Sequence, residues 1–268
     1  MNELYLNGAT LMTTPTPRQL EAALKAGFSG IEARAERLRG KEKRGELEAT
    51  AAALKAMGGR VLSLNSLGLQ VLPGGTLDTR KLGADLPELL DVAAALGAGL
   101  LLVVPLRAAG VSFEVALEGI REGLALAQAA AKTYGIRLGF EFLGFADCPI
   151  NTASRALEVM QPFPEVGFVL DSCHVYASGG SFRDFPAHRL HLVHLNDCPR
   201  PASMAIEDGD RVLPGEGQIP LRQYLQDLRL SGYNGSWSLE IFNETLWKDD
   251  PEQVAFRGFH ALRSLLLG

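Results

Sequence analysis

The feature that most constrains this chain is an alternation running its whole length, in which short apolar runs of strand length are followed by longer stretches of helical periodicity. The strand-length runs fall at 4–7, 30–33, 60–65, 99–104, 137–142, 167–171, 190–195 and 236–241. Helical stretches lie near 17–26, 46–57, 84–96, 113–133, 153–161, 182–187, 220–230 and 251–267. Thr16-Pro17 opens the first helix, Gly27 closes it, and Gly97, Gly135 and Gly232 each follow a helix just before a strand. This is the pattern of βα units around a parallel sheet. Eight units share 268 residues, about 33 each, close to the minimum for a βα unit with short loops. No composition break or Ser/Gly linker divides the chain, so the predicted fold is α/β, a (β/α)8 TIM barrel occupying 1–268 as a single domain. A doubly wound open sheet is the alternative. It calls for Gly-x-Gly-x-x-Gly after the first strand, where Asn7-Gly8-Ala9-Thr10 stands.

Composition removes several classes of function. A chain 47% hydrophobic and 21% charged builds a large buried core. A net charge of -5 argues against nucleic acid or an anionic membrane as partner, since both call for a basic stripe. The longest apolar run, 92–106, is broken by Gly97, Gly99 and Pro105 and is shorter than the roughly 18 residues a membrane span needs. Residues 1–5 lack the positive and apolar regions of a secretory signal, and three cysteines cannot make a paired framework, so a cytoplasmic location is expected.

In a barrel of this kind the chemistry sits at the C-terminal ends of the strands. Four residues there interrupt apolar runs: Glu141 in Gly139-Phe140-Glu141-Phe142, Asp171 in Phe168-Val169-Leu170-Asp171, His194 in Leu192-Val193-His194-Leu195 and Glu240 in Ser238-Leu239-Glu240-Ile241. A buried carboxylate costs several kcal/mol unless paired or coordinated. Singly, each could be an acid paired with arginine or a histidine bonded to backbone. On four successive strands, three carboxylates and one imidazole repel one another without a cation and together make a reasonable cage for one divalent ion. Three oxygen donors and one nitrogen suit Mn2+, Mg2+ or Co2+, and tolerate Zn2+.

These residues, with Leu6-Asn7-Gly8-Ala9-Thr10, Leu64-Asn65-Ser66-Leu67, Cys148-Pro149-Ile150-Asn151-Thr152, Asp171-Ser172-Cys173-His174 and Asp210-Arg211-Val212-Leu213-Pro214-Gly215-Glu216-Gly217, resemble the xylose isomerase-like TIM barrels over nearly the whole chain. Within that family the resemblance is greatest to the inosose isomerase branch. It implies that Glu141, Asp171, His194 and Glu240 hold the metal and that the two glutamates form an acid/base pair. One takes a proton from the carbon beside a carbonyl and the other returns it to the neighbouring carbon, through an enediolate, in a keto-sugar or keto-inositol. The chemistry is sound independently of the family, because an α-proton is weakly acidic and a divalent ion stabilises the charge that develops on the adjacent oxygens. The resemblance also implies a hydroxyl-binding role for His174 and a possible homodimer.

Arg211 is expected to clamp substrate oxygen or a metal-bound carboxylate, the alternative being a solvated surface arginine. Asn7 and Asn65 end strands one and three, where they could bond polyol hydroxyls or satisfy neighbouring loops. Phe142, Phe145, Tyr176, Phe242 and Trp247 could wall a sugar pocket or simply pack. Cys148, Cys173 and Cys198 fit no Cys-x-x-Cys spacing and read as small buried thiols. His191 alternates away from His194, towards the helices, and His188 and His260 read as structural. Three alternative functions stand beside the isomerase: a metal-dependent dehydratase resembling the 3-dehydroshikimate enzymes, an endonuclease IV-like nuclease, and a non-catalytic metal- or sugar-binding protein. The nuclease reading lacks support from early histidines, none preceding His174, and Val212 stands where that branch carries the histidine of Asp-Arg-His.

Overall fold

Local chemistry sets the first unit. A computed structural model describes residues 3–267; Met1, Asn2 and Gly268, the ends of the predicted domain, lie outside them. Strand β1 (Leu4–Asn7) stops where the Asn7 side chain turns back to accept from the Ala9 N–H at 2.9 Å, opening a 3-10 turn over Gly8–Leu11. Helix α1 (Thr16–Ala26) starts with Pro17 in its first turn, where the missing N–H costs nothing, and ends at Gly27 with φ 107°, a left-handed position that glycine adopts without strain. The remaining elements follow in order: β2 (Gly30–Arg34), α2 (Ala35–Leu38), α3 (Arg44–Met57), β3 (Arg60–Leu69), α4 (Thr79–Ala95), β4 (Leu100–Pro105), α5 (Phe113–Tyr134), β5 (Arg137–Phe140), α6 (Ala153–Val159), β6 (Gly167–Asp171), α7 (Ser172–Ala177), β7 (Leu190–Leu195), α8 (Leu221–Leu230), β8 (Ser236–Leu239) and α9 (Pro251–Leu267).

Each strand pairs in parallel with the next, and β1 pairs with β8 through Leu4↔Trp237 and Leu6↔Leu239, closing an eight-stranded barrel. The predicted (β/α)8 architecture is therefore the one observed. Strand residues alternate between two cores. Outward residues such as Ile31, Val193 and Leu195 join the large apolar layer beneath the helices, whose buried stripes follow helical spacing, as in Phe113, Ala116, Ile120, Leu124, Ala127 and Ala131 of α5. Inward, Leu100, Leu102, Val169 and Leu192 form a separate small cluster with Leu62 against it. His194 and Asp171 stand two residues beyond Leu192 and Val169, one layer higher towards the mouth. His191 keeps the opposite parity and lies over Gly167, where a Cβ would sit 2.3 Å from its ring.

Several boundaries differ from the sequence expectation. Strand β3 runs four residues past Asn65, because a register shift between Leu64 and Leu67 lets it continue along β4 to Pro105. Strands β5 and β8 end at Phe140 and Leu239, so Glu141 and Glu240 stand just beyond them. The helix expected over 182–187 is instead two 3-10 turns, Phe182–Asp184 and Ala187–Arg189. The helix following β6 is α7, capped by Asp171 itself. No helix among the described residues is long and apolar enough to cross a membrane.

Candidate metal centre

The barrel mouth gathers Glu141, Asp171, His194 and Glu240, each offering one ligand atom within 4.8 Å of the others, and all four residues are buried. Strand register brings Asp171 and His194 side by side as direct partners on β6 and β7. The Glu141 N–H donates to the Val103 carbonyl and the Glu240 N–H to that of Leu195, so both glutamates are held by backbone as they leave their strands. His194 Nδ1 lies 3.1 Å from Glu141 Oε1 and 3.2 Å from Glu240 Oε2. Three mutually repelling carboxylates and an imidazole nitrogen in a site withdrawn from water form a donor set that fits one divalent cation.

Asp171 does two jobs. Its Oδ1 accepts the His174 backbone N–H at 2.9 Å and so caps α7, which accounts for aspartate at 171. Its Oδ2 accepts from Asn196 Nδ2 at 2.6 Å and faces Arg211 Nη1 at 3.3 Å. Arg211, expected on a loop, is buried: Nη1 reaches Glu240 Oε2 at 3.1 Å, Nη2 reaches His174 Nε2 at 3.0 Å and Asp208 Oδ1 at 2.6 Å, and the guanidinium lies over Phe242. It thus sits on two carboxylates of the cluster, and the solvated alternative is excluded. Backbone bonds between Asp197 and Val212 run in both directions, and the buried Asp197 carboxylate accepts N–H groups from Cys198, Gly215 and Ile219. That anchoring delivers Arg211. Gly217 serves the same loop, since a Cβ there would lie 2.3 Å from Asp197 Oδ1.

The other candidates separate. Asn65 donates from Nδ2 to Glu240 Oε1 at 3.1 Å, and Arg34 Nη1 is 3.6 Å from the same oxygen. Asn7 is committed within the protein, with Oδ1 on the Ala9 N–H and Nδ2 on Glu32 Oε1 at 3.1 Å. His174 accepts from Arg211 at Nε2, so the proton of its neutral ring belongs on Nδ1. Phe145 meets it edge-on with ring centroids 5.0 Å apart. Phe142 belongs to the core, stacked on Phe185, while Phe242 carries the Arg34 and Arg211 guanidiniums and Trp247 donates to the Ala9 carbonyl. The three cysteines are buried free thiols, as expected. The broad groove of about 630 Å³ beside Pro214, Arg222 and Ala261 is separate chemistry: its carboxylate, Asp197, is already occupied by backbone N–H groups.

Electrostatics divides the two glutamates. Burial pushes Glu141 up to about 7 against the pull of His194. Burial would raise Glu240 too, but His194, Arg211 and Arg34 outweigh it and hold its carboxyl below the ordinary range. Burial, then Arg211, drives His174 down to about 3, leaving it neutral. Glu32 did not figure in the sequence expectation. It is wholly buried, with Oε1 3.1 Å from His194 Nε2. The signal that singled out the other four was present, a carboxylate inside Gly30-Ile31-Glu32-Ala33. Asn196 was likewise unpredicted; it donates to Asp171 and to the Glu240 carbonyl.

Comparison with known proteins gives four findings. A profile of the xylose isomerase-like TIM barrel matches residues 20–265. Inosose isomerase of Halalkalibacterium halodurans is 32% identical over 129 residues, 46% of each chain, so the match spans about half the length of that relative. The 3-dehydroshikimate dehydratase of Pseudomonas aeruginosa is 32% identical over 185 residues, 66% of this chain and 28% of that one. A crystal structure of IOLI protein with a binding zinc atom superposes with a TM-score of 0.88 over 98% of both chains at 24% identity, a likeness of fold.

Proposed function

The chain belongs to the xylose isomerase-like TIM barrel family, and from that premise and its buried cluster we propose a divalent-metal-dependent isomerase or epimerase of a keto-sugar or keto-inositol. Glu141, Asp171, His194 and Glu240 would hold the ion. When bound, a divalent cation supplies positive charge to the substrate oxygens on which negative charge develops. The observation carrying the proposal is that Glu141 and Glu240 flank one nitrogen of His194 at 3.1 and 3.2 Å, from strands three places apart around the barrel. One small substrate beside that nitrogen is then within reach of both carboxylates. Ionised Glu240 takes the proton from the carbon next to a carbonyl and keeps it, while Glu141, whose raised pKa lets it carry a proton of its own, gives that proton to the neighbouring carbon, so that the pair ends with its protonation exchanged and resets through solvent. Asn65 and Arg211 orient Glu240 for this transfer, and His174 offers Nδ1–H to a substrate hydroxyl. Asn7 supports the site from behind, through Glu32.

The match to a dehydratase supports a second reading in which the same base removes the proton and a β-hydroxyl then leaves. Proton NMR in D2O with 2-keto-myo-inositol, ketoses and 3-dehydroshikimate separates the two. Exchange of the α-proton without loss of water is expected, and Glu240→Gln should stop it while the protein stays folded. Water loss from dehydroshikimate alone would favour the lyase, and no exchange from any of these substrates defeats the proposal. Mass spectrometry should find one divalent ion per chain; more than one tightly held zinc would revive the nuclease. The proposal extends to a cytoplasmic homodimer acting on a small molecule with no nucleic-acid or membrane partner, and light scattering checks the assembly.

A further inference from the structure

We propose that Glu32 is the positioning residue of the cation site: by accepting the Nε2 proton of His194 it holds the imidazole in the tautomer that turns the Nδ1 lone pair towards Glu141 and Glu240. The inference rests on reading the four-residue cluster as a cation site and goes beyond it, because Glu32 is not one of the four.

The argument begins with donors and acceptors. Glu32 is wholly buried on β2 and collects three donors: Ser63 Oγ at 2.6 Å, Asn7 Nδ2 at 3.1 Å, and His194 Nε2 at 3.1 Å from Oε1 and 3.3 Å from Oε2. The orientation of the Asn7 amide is settled locally, since its Oδ1 is occupied by the Ala9 N–H and only Nδ2 can face Glu32. An ionised carboxylate has acceptor capacity for all three contacts and no proton to give. Nε2 must therefore be the donor whether or not the ring carries a second proton, and in the neutral form that binding a cation requires, Nδ1 is the nitrogen left with its lone pair. Nδ1 is the nitrogen on the cluster side, between Glu141 and Glu240. A hydrogen-bonded partner on the far nitrogen fixes ring orientation and raises the basicity of the near one, the relation found at most histidine metal ligands. Serine at 63 and asparagine at 7 have their place in this arrangement: they hold the carboxylate that holds the imidazole.

Glutamine at 32 keeps the size and removes the charge. Its amide can donate to Nε2, which favours the opposite tautomer with a proton on Nδ1 facing the ion. Aspartate keeps the charge and shortens the reach. The test measures Zn2+ dissociation constants on EDTA-stripped protein by competition with a chromophoric chelator, for wild type, Glu32→Gln and Glu32→Asp. Weakening of about 10–100-fold is expected for Glu32→Gln, with partial recovery in Glu32→Asp. Long-range 1H–15N spectra of zinc-loaded wild type provide a second readout that needs no variant to fold. They should show the His194 proton on Nε2 and the metal shift on Nδ1. Unchanged affinity in Glu32→Gln, or a proton on Nδ1, overturns the role of Glu32 alone. Failure of wild type to bind any divalent ion overturns both this role and the cation site beneath it.

Discussion

Replacing Arg211 with methionine should destabilise the metal-free protein and enlarge its response to metal. Arg211 Nη1 stands 3.1 Å from Glu240 Oε2 and 3.3 Å from Asp171 Oδ2, and the residue is 1% exposed. At an effective dielectric near 20, each contact is worth about 5 kcal/mol gross. Desolvation offsets much of this, and removing one partner of such a buried arrangement costs about 3–5 kcal/mol net. At roughly 2–4 °C per kcal/mol for a chain approaching this size, the EDTA-stripped variant should melt about 6–20 °C below wild type. A bound divalent ion would then be the main counter-charge for Asp171 and Glu240. Excess Mn2+ or Zn2+ should therefore raise the variant's melting temperature by more than it raises that of wild type. Scanning calorimetry with and without metal provides all four numbers. A stripped variant melting within about 2 °C of wild type would refute the claim that Arg211 neutralises the cluster. So would a metal response no larger than the wild-type one.

Three further outcomes follow from neighbouring features. Metal at about 100 times its dissociation constant should stabilise wild type by about 2.7 kcal/mol, and His194→Ala should abolish the effect; an unresponsive wild type in a thermal shift assay would remove the cation site. Asp197→Ala leaves the buried N–H groups of Cys198 and Ile219 without their acceptor, at about 1–3 kcal/mol for each, and also removes the acceptor of the more exposed Gly215 N–H. Urea titration should therefore show a loss of at least about 2 kcal/mol, and a loss below about 1 kcal/mol defeats the anchoring role. Burial raises Glu46, but Arg37 and the N–H and hydroxyl of Thr16 outweigh it and hold its carboxyl below the usual range. A depressed folded pKa contributes stability that is present above the ordinary glutamate pKa, near 4.3, and is lost as pH falls through the folded value. Glu46→Gln should thus lose less stability between about pH 5 and pH 3 than wild type does, and parallel denaturation curves over that range would contradict this.

The legible parts of the site were those with a local signature. A carboxylate or imidazole breaking an apolar run marks itself, and Glu141, Asp171, His194 and Glu240 all did so. Cap chemistry was legible in part: Thr16-Pro17 and Gly27 bound α1 as expected, whereas the helix after β6 is built on the Asp171 cap. Arg211 could not be placed from its neighbours, because burial of that loop depends on Asp197 bonding residues some twenty positions away. Glu32 carried the same mark as the other four, but its importance depends on a partner 162 residues distant.

The amino-acid sequence by itself determined the number of βα units, the inward positions at the strand ends and the chemical character of the donor set. Alternation and local hydrogen bonding act over a few residues, and a sequence displays them directly. Tertiary structure alone decided that Arg211 is sequestered against Asp171 and Glu240 and that Glu32 meets His194 across the expected closed barrel. Those outcomes depend on strand register summed around a closed sheet. A one-residue slip in any pairing would move a side chain from the barrel interior to the helix layer, so the meeting of these groups is a property of the whole ring.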